Sequence, residues 1–212
     1  MKQDKLTDFF NQNYILIFAF VFVFIPGISI LAPVLMHLNL AVPAKLIYWI
    51  FRFACHQLPY RSFFLFGSQP YYPLAEANMG KNIVTFEQAI QNPDMKFAEI
   101  KAFIGNSEMG YKTALCQRDI AIYLSIALFC IIFMISKKRM PRLHWSLWIV
   151  FGLIPIAVDG FSQMLSTIVP FINRESTPMI RVLTGALFGF MTSWFLIPYL
   201  EKKIQESSSD SD

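Results

Sequence analysis

Charge is scarce in this chain. Only 15% of its 212 residues are Asp, Glu, Lys or Arg, while 55% are hydrophobic. That balance excludes both an ordinary soluble domain and a disordered one. The net charge of +4 is small and unevenly spread, so it bears on membrane topology and not on nucleic-acid binding. Cysteine is scarce too: three residues do not build a disulfide framework, and each must be placed individually. The sequence contains no G-x-x-x-x-G-K-S/T loop, no G-x-S-x-G elbow and no H-E-x-x-H pair. The P-loop, serine-hydrolase and zincin chemistries that those motifs carry are therefore not in evidence.

What the chain does have is long uncharged runs, 22 Phe and a mean hydropathy of +0.47. Residues 14–36 carry no charge and reach the ~20 residues a spanning helix needs. The run exceeds the apolar core of a cleaved signal peptide, so it reads as a retained helix, kinked at Pro26 and Pro33. Three further spans are expected at 120–136, 143–168 and 178–200, the last with Thr177 as N-cap and Pro178 in the first turn. His144, beside Trp145 and Trp148, marks the interfacial start of the third, and His37 is read as interfacial as well. The apolar run from Lys45 to Phe53 is too short to span and reads as a re-entrant or interfacial helix ending before Pro59.

Between 67 and 113 the composition turns polar and is punctuated by Gly and Pro. Thr85 and Gln88 form a capping box for one short helix. Asn92-Pro93 can open a second, closed by Gly105. This segment is expected to be a small outer helical cap. Residues 201–212, rich in Ser and Asp, are expected to be a disordered tail. The turn Lys137, Lys138, Arg139 and Arg142 belongs on the cytoplasmic side, which places both termini inside the cell and the 39–116 segment outside.

Three polar knots then lie toward one membrane face. The first is Cys55-His56-Gln57 with Arg61. The second is Cys116-Gln117-Arg118-Asp119, in which Cys116, Asp119 and Tyr123 share a helix face. Two sulfurs, an imidazole nitrogen and a carboxylate are an acceptable tetrahedral zinc set, so Cys55, His56, Cys116 and Asp119 are the candidate ligands. A Cys55–Cys116 disulfide and a pair of packed thiols are the alternatives. Cys130, mid-helix among Phe, Leu and Ile, is packing. The third knot is Asp159 with Gln163 one turn on. An intramembrane carboxylate is costly and usually functional, and Arg181 is its expected partner, in either a structural or a functional pair. Gly185 and Gly189 continue the Arg181 face as a strip for close helix packing.

With these residues laid out, the chain resembles the domain of unknown function 2085 family of prokaryotic membrane proteins. The resemblance rests on Cys55-His56-Gln57-Leu58-Pro59-Tyr60-Arg61-Ser62-Phe63, on Cys116-Gln117-Arg118-Asp119 with Tyr123, on Asp159-Gly160-Phe161-Ser162-Gln163, and on Arg174-Glu175-Ser176 with Arg181 and Gly185. Asp119 departs from the Cys of the family pattern and remains a permissible zinc ligand. The outer segment between Phe66 and Ala114 is longer than the family minimum. The resemblance implies a multi-helix membrane fold and no established activity.

The expected molecule is thus an all-α membrane protein: a four-span helical bundle with one short re-entrant or interfacial helix and a small outer helical cap. It would carry an outer-face site that takes zinc through Cys55, His56, Cys116 and Asp119, with Asp159, Glu175, Arg61 and Arg181 as candidate catalytic groups of a hydrolytic or redox enzyme. A non-enzymatic scaffold closed by the Cys55–Cys116 disulfide and a small transporter are the competing readings. The lipid bilayer is the expected partner, with a homo-oligomer or another membrane protein beside it and no nucleic acid.

Overall fold

A computed structural model describes residues 2–80, 82–92, 95–169 and 174–209. Four helices are long and apolar enough to cross a membrane, over Gln12–His37, Gln117–Ile135, Trp145–Leu165 and Pro178–Glu206. The first lies in α1 (Lys2–His37), which continues through Pro26 and Pro33. The short helix α2 (Ala41–Phe51) follows it closely. The second span is α5 (Gln117–Ile135). The third is assembled from α6 (Trp145–Leu147), a π-helical turn (Trp148–Leu153) and α7 (Ile154–Ile168), and His144 caps its start by accepting from the Ser146 N–H. The wide turn ends two residues before Pro155, which has no N–H to donate to the regular ladder.

The fourth span begins α8 (Pro178–Ser209), with the Thr177 hydroxyl accepting from the Ile180 N–H at 3.3 Å. This helix does not stop at 200. It continues where the sequence suggested a disordered tail, because Glu201 is buried. Its carboxylate accepts from the Tyr14 hydroxyl at 2.7 Å and pairs with Lys138 at 3.1 Å, joining α1, the cationic turn and α8. Residues 210–212 lie outside the described residues.

The bundle core is built where α1, α5 and α8 meet. Ile15, Ala19, Phe129, Cys130, Phe133 and Ile197 are buried there, with Phe190 and Trp194 packed against them. Gly185 and Gly189 make the approach of α8 to α5 possible. A Cβ at Gly185 would come within 2.6 Å of the Arg118 carbonyl, and one at Gly189 would collide with Ser125 and the Ile122 carbonyl. The opposite surfaces are apolar and open, as at Phe20, Phe24, Leu128, Ile135, Val158 and Leu183. Lipid tails match such a surface and water does not.

The cap departs from the all-helical expectation. It contains α3 (Phe86–Ile90), opened by the reciprocal Thr85–Gln88 capping box, and α4 (Phe97–Ala102). It also contains a three-stranded antiparallel sheet of β1 (Ser62–Leu65), β2 (Gly105–Asn106) and β3 (Gly110–Cys116), in the order β1-β3-β2. Pro93, expected to open the second cap helix, lies outside the described residues. Gly105 does not close that helix; it starts β2 at φ +133°, a conformation that favours glycine. In the β2–β3 turn the Asn106 side chain accepts from the Glu108 and Met109 N–H groups at 3.0 and 2.7 Å, as asparagine does in tight turns. Phe64, Tyr72, Phe86 and Met109 form a separate small core under the cap.

β3 runs directly into α5. Its central carbonyls and amides are tied downward as well as sideways: the Ser29 hydroxyl of α1 accepts from the Leu115 N–H at 2.7 Å, and the Tyr48 hydroxyl of α2 donates to the Lys112 carbonyl. The cap is therefore seated on α1 and α2.

Candidate functional site

The first polar knot is formed by the chain leaving α2. The Cys55 N–H donates to the Phe51 carbonyl at 2.9 Å. The backbone then reverses at Gln57, which takes a left-handed φ of +55°. A non-glycine residue holds that conformation only where its surroundings fix it. Here Gln57 is buried, its side-chain amide donates to the Tyr48 carbonyl at 2.7 Å, and its own carbonyl accepts from the Lys112 ammonium at 2.5 Å. After the turn Pro59–Arg61 the chain enters β1, where Ser62 lies opposite Cys116 of β3. That strand register, with the Gln117 amide donating to the Ser62 carbonyl at 3.0 Å, brings residues 55 and 116 side by side.

Cys116 is the N-cap of α5, and its sulfur accepts from the Asp119 N–H at 3.4 Å. The side-chain ligand atoms of Cys55, Cys116 and Asp119 all lie within 4.8 Å of one another. All three cysteines are free thiols. His56 is exposed on the wall of the same cavity and stands outside this close group. The four residues suggested by the sequence thus separate into a converged triad and a histidine at the rim. Cys130 is in the bundle core, as expected.

The titration of the two thiols is joined. The Cys116 thiol donates toward Cys55 and holds it below the usual thiol range against the effect of burial. The same hydrogen bond, together with burial, pushes Cys116 well above that range.

Around the triad stands a frame of arginines and carboxylates. Arg61 grips Glu175 through two hydrogen bonds of 2.9 and 2.8 Å, and Arg181 pairs with the same carboxylate. Arg181 also donates to the Tyr60 carbonyl at 3.1 Å and to the Gln117 side chain at 3.4 Å. Asp159 pairs with Arg118 and lies 3.6 Å from Arg174, while the Gln163 amide donates to it at 3.1 Å. The expected Asp159–Arg181 pair is therefore replaced by two others. Arg181 at the start of α8 is closer to Glu175 in the preceding loop, and Asp159 is met by Arg118 from the start of α5. Both carboxylates and Arg181 are nearly inaccessible. Glu175, Arg61 and Arg181 form one cluster and Asp159 belongs to another with Arg118, Arg174 and Gln163, both carboxylates lying outside the close triad.

Cys55, His56, Arg61, Cys116, Arg118, Asp119 and Arg181 are among the residues lining one cavity of about 210 Å³, room for several water molecules at ~30 Å³ each. Lys112 was not evident from the sequence as a site residue. It is 1% exposed, and its ammonium donates to the Gln57 and Lys101 carbonyls, the second at 3.2 Å. Burial lowers its pKa to about 7. A lysine within the apolar stretch from Met109 to Leu115 was the available signal.

A model of the family described as "Predicted membrane protein (DUF2085)" matches residues 107–195. The resemblance holds over that stretch, which contains the Cys116, Asp159 and Arg181 knots and leaves Cys55, His56 and Arg61 outside. An uncharacterised protein of Methanocaldococcus jannaschii is 26% identical over 156 residues, covering 72% of this chain and 67% of that protein. No solved structure matches the chain.

Proposed function

We propose that this membrane protein binds zinc at its outer face through Cys55, Cys116 and Asp119, and that the bound ion serves a hydrolytic reaction. The observation that carries the reading is the convergence of the three ligand atoms within 4.8 Å, although Cys55 lies 61 residues before Cys116 in the chain. Zinc bonds of roughly 2.0–2.3 Å suit two sulfurs and a carboxylate at such separations. Thiolate and carboxylate together favour zinc over magnesium or calcium, which prefer oxygen alone. Three protein ligands with a fourth position open are the pattern of catalytic zinc. His56 at the rim is available either to complete the set or to serve substrate. A bound ion would act there as a Lewis acid or a source of hydroxide.

The outer-face assignment follows from the cationic turn of Lys137, Lys138, Arg139 and Arg142, held in the cytoplasm. The triad lies at the other end of α5, since Cys116 precedes that helix and the turn follows it.

Purified protein is expected to carry stoichiometric zinc by elemental mass spectrometry, and chelation or Cys116→Ser to remove it and lower the melting temperature. Protein that refuses zinc, with Cys116→Ser leaving thermal stability unchanged, ends this reading. The proximity of the Cys55 and Cys116 sulfurs supports a second reading, in which an oxidising exterior closes a structural disulfide between them. Mass spectrometry under non-reducing conditions separates the two, since a bridge makes the chain lighter by two hydrogens.

A further inference from the structure

We propose that the cavity beside the triad binds a phosphate-type oxyanion through Arg61, Arg118 and Arg181, a proposal that rests on the zinc reading of the triad. Charge is the first argument. Among the described residues, Arg61, Arg118, Arg174 and Arg181 form ion pairs with two carboxylates, Asp159 and Glu175. Asp119 is the remaining acid on the cavity wall. A divalent ion on two thiolates adds no net charge, so the wall itself presents three guanidinium groups to one carboxylate, Asp119, with Glu175 and Asp159 as the ion-pair partners of those arginines.

Donor capacity is the second. Arg181 is 1% exposed, yet its Nε has no hydrogen-bond partner among the described residues, and the Nε of Arg118 has none either. Buried donors without acceptors are rare and cost roughly 1–3 kcal/mol each. An incoming oxyanion lets these guanidinium groups redistribute their bonds so that more donors are met.

The third argument is selectivity. The Lys or Arg residues on the cavity wall are all arginines, whose planar fork matches phosphate oxygens in pairs. The arginines arrive from three places, the turn before β1, the start of α5 and the start of α8. Such an arrangement suits a tetrahedral anion better than a planar carboxylate. The cavity also sits at the N-terminus of α5, where the helix dipole favours negative charge. Glu175 holds Arg61 and Arg181, and Asp159 holds Arg118, so the donors are positioned before the ligand arrives and little ordering remains to oppose binding.

The ligand is thus a phosphate group beside the metal, carried either by free phosphate or by a lipid headgroup entering from the bilayer. The test uses the full chain in phosphatidylcholine nanodiscs, loaded with zinc, with inorganic phosphate as the titrant in calorimetry. Saturable binding is expected, weakened about tenfold or more by Arg61→Gln, as loss of a charge-assisted contact requires, and to a smaller extent by Arg118→Lys, which keeps the charge and loses the fork. Arg61→Lys, which keeps the charge, should weaken it less. Zinc content is measured on the same samples and should not change in Arg61→Gln, so loss of the metal and loss of the anion are read independently. Nanodiscs containing phosphatidic acid provide the second arm. Competition with free phosphate assigns the site to a lipid headgroup, and undiminished phosphate binding assigns it to the free anion. Zinc-loaded protein that shows no saturable phosphate binding, or binding untouched in both Arg61→Gln and Arg118→Lys with the melting temperature intact, overturns the proposal.

Discussion

Glu175 is held by two guanidinium groups at once, one half-exposed and one almost wholly buried. Removing its charge leaves Arg181 in a low-dielectric setting without its acid, and breaking a buried pair from one side costs about 3–5 kcal/mol. Glu175→Gln is accordingly expected to lower the denaturation midpoint in detergent by that order. Arg61→Gln should cost much less, because a partly solvated arginine contributes about 1 kcal/mol or less through such a pair. Measuring both variants tests the arrangement, and equal losses would contradict it. The sequence made the participants visible but not the pairing. Asp159, Glu175, Arg61 and Arg181 are conspicuous because charge is rare here, whereas which arginine meets which carboxylate depends on where α5 and α8 start. The triad was legible in the same limited way. Helical spacing linked Cys116 to Asp119, but the distance from Cys55 to Cys116 depends on the pairing of Ser62 with Cys116, and spacing carries no information about that.

Among the elements, α5 and α8 have the most extensive contact, and Gly189 lies within it. In an isolated helix alanine would be favoured over glycine by about 1 kcal/mol. Here the added methyl would meet Ser125 and the Ile122 carbonyl, and overpacking of that kind costs typically ~1–3 kcal/mol. Steric cost should win, so Gly189→Ala is expected to lower the melting temperature, whereas Gly27→Ala, with nothing within 4 Å of the new carbon, should not. The four long helices were readable because apolar runs of that length, with at most one Asp, Glu, Lys or Arg in each, have one interpretation. The sheet was not. β1 is a four-residue apolar strand, Ser62–Leu65, too short for periodicity to distinguish it from a buried helical turn. Its partner strand lies far along the chain, beyond α3 and α4. The extension of α8 past Leu200 was missed for the opposite reason. Local composition suggests disorder, and the tertiary bonds from Tyr14 and Lys138 to Glu201 override it.

For the whole molecule, the proposed orientation keeps the short cationic turn, and with it both termini, in the cytoplasm. A C-terminal green fluorescent protein fusion should therefore fluoresce in bacterial cells, and a C-terminal alkaline phosphatase fusion should be inactive. The reverse pattern would turn the molecule over and place the arginine frame inside. Both ends of the bundle are secured by polar groups: Glu201 ties α1, the cationic turn and α8 at one end, and Asp159 and Glu175 tie α5, the third span and the loop before α8 at the other. Membrane interiors reward such ties, because the hydrophobic effect does little to hold helices together in lipid.

The absence of any linker between β3 and α5, where Cys116 ends one element and Gln117 begins the next, sets where this protein can change length. Residues may be added or deleted at the exposed tips of the cap, around Asn78 or Gln91, without displacing either sulfur, because the strand pairing below them is untouched. A single insertion between Gly110 and Asp119 would instead rotate or shift every following side chain and carry Asp119 away from Cys55. Relatives of this chain should therefore differ widely in the size of the cap while keeping the spacing through the strand-to-helix junction fixed.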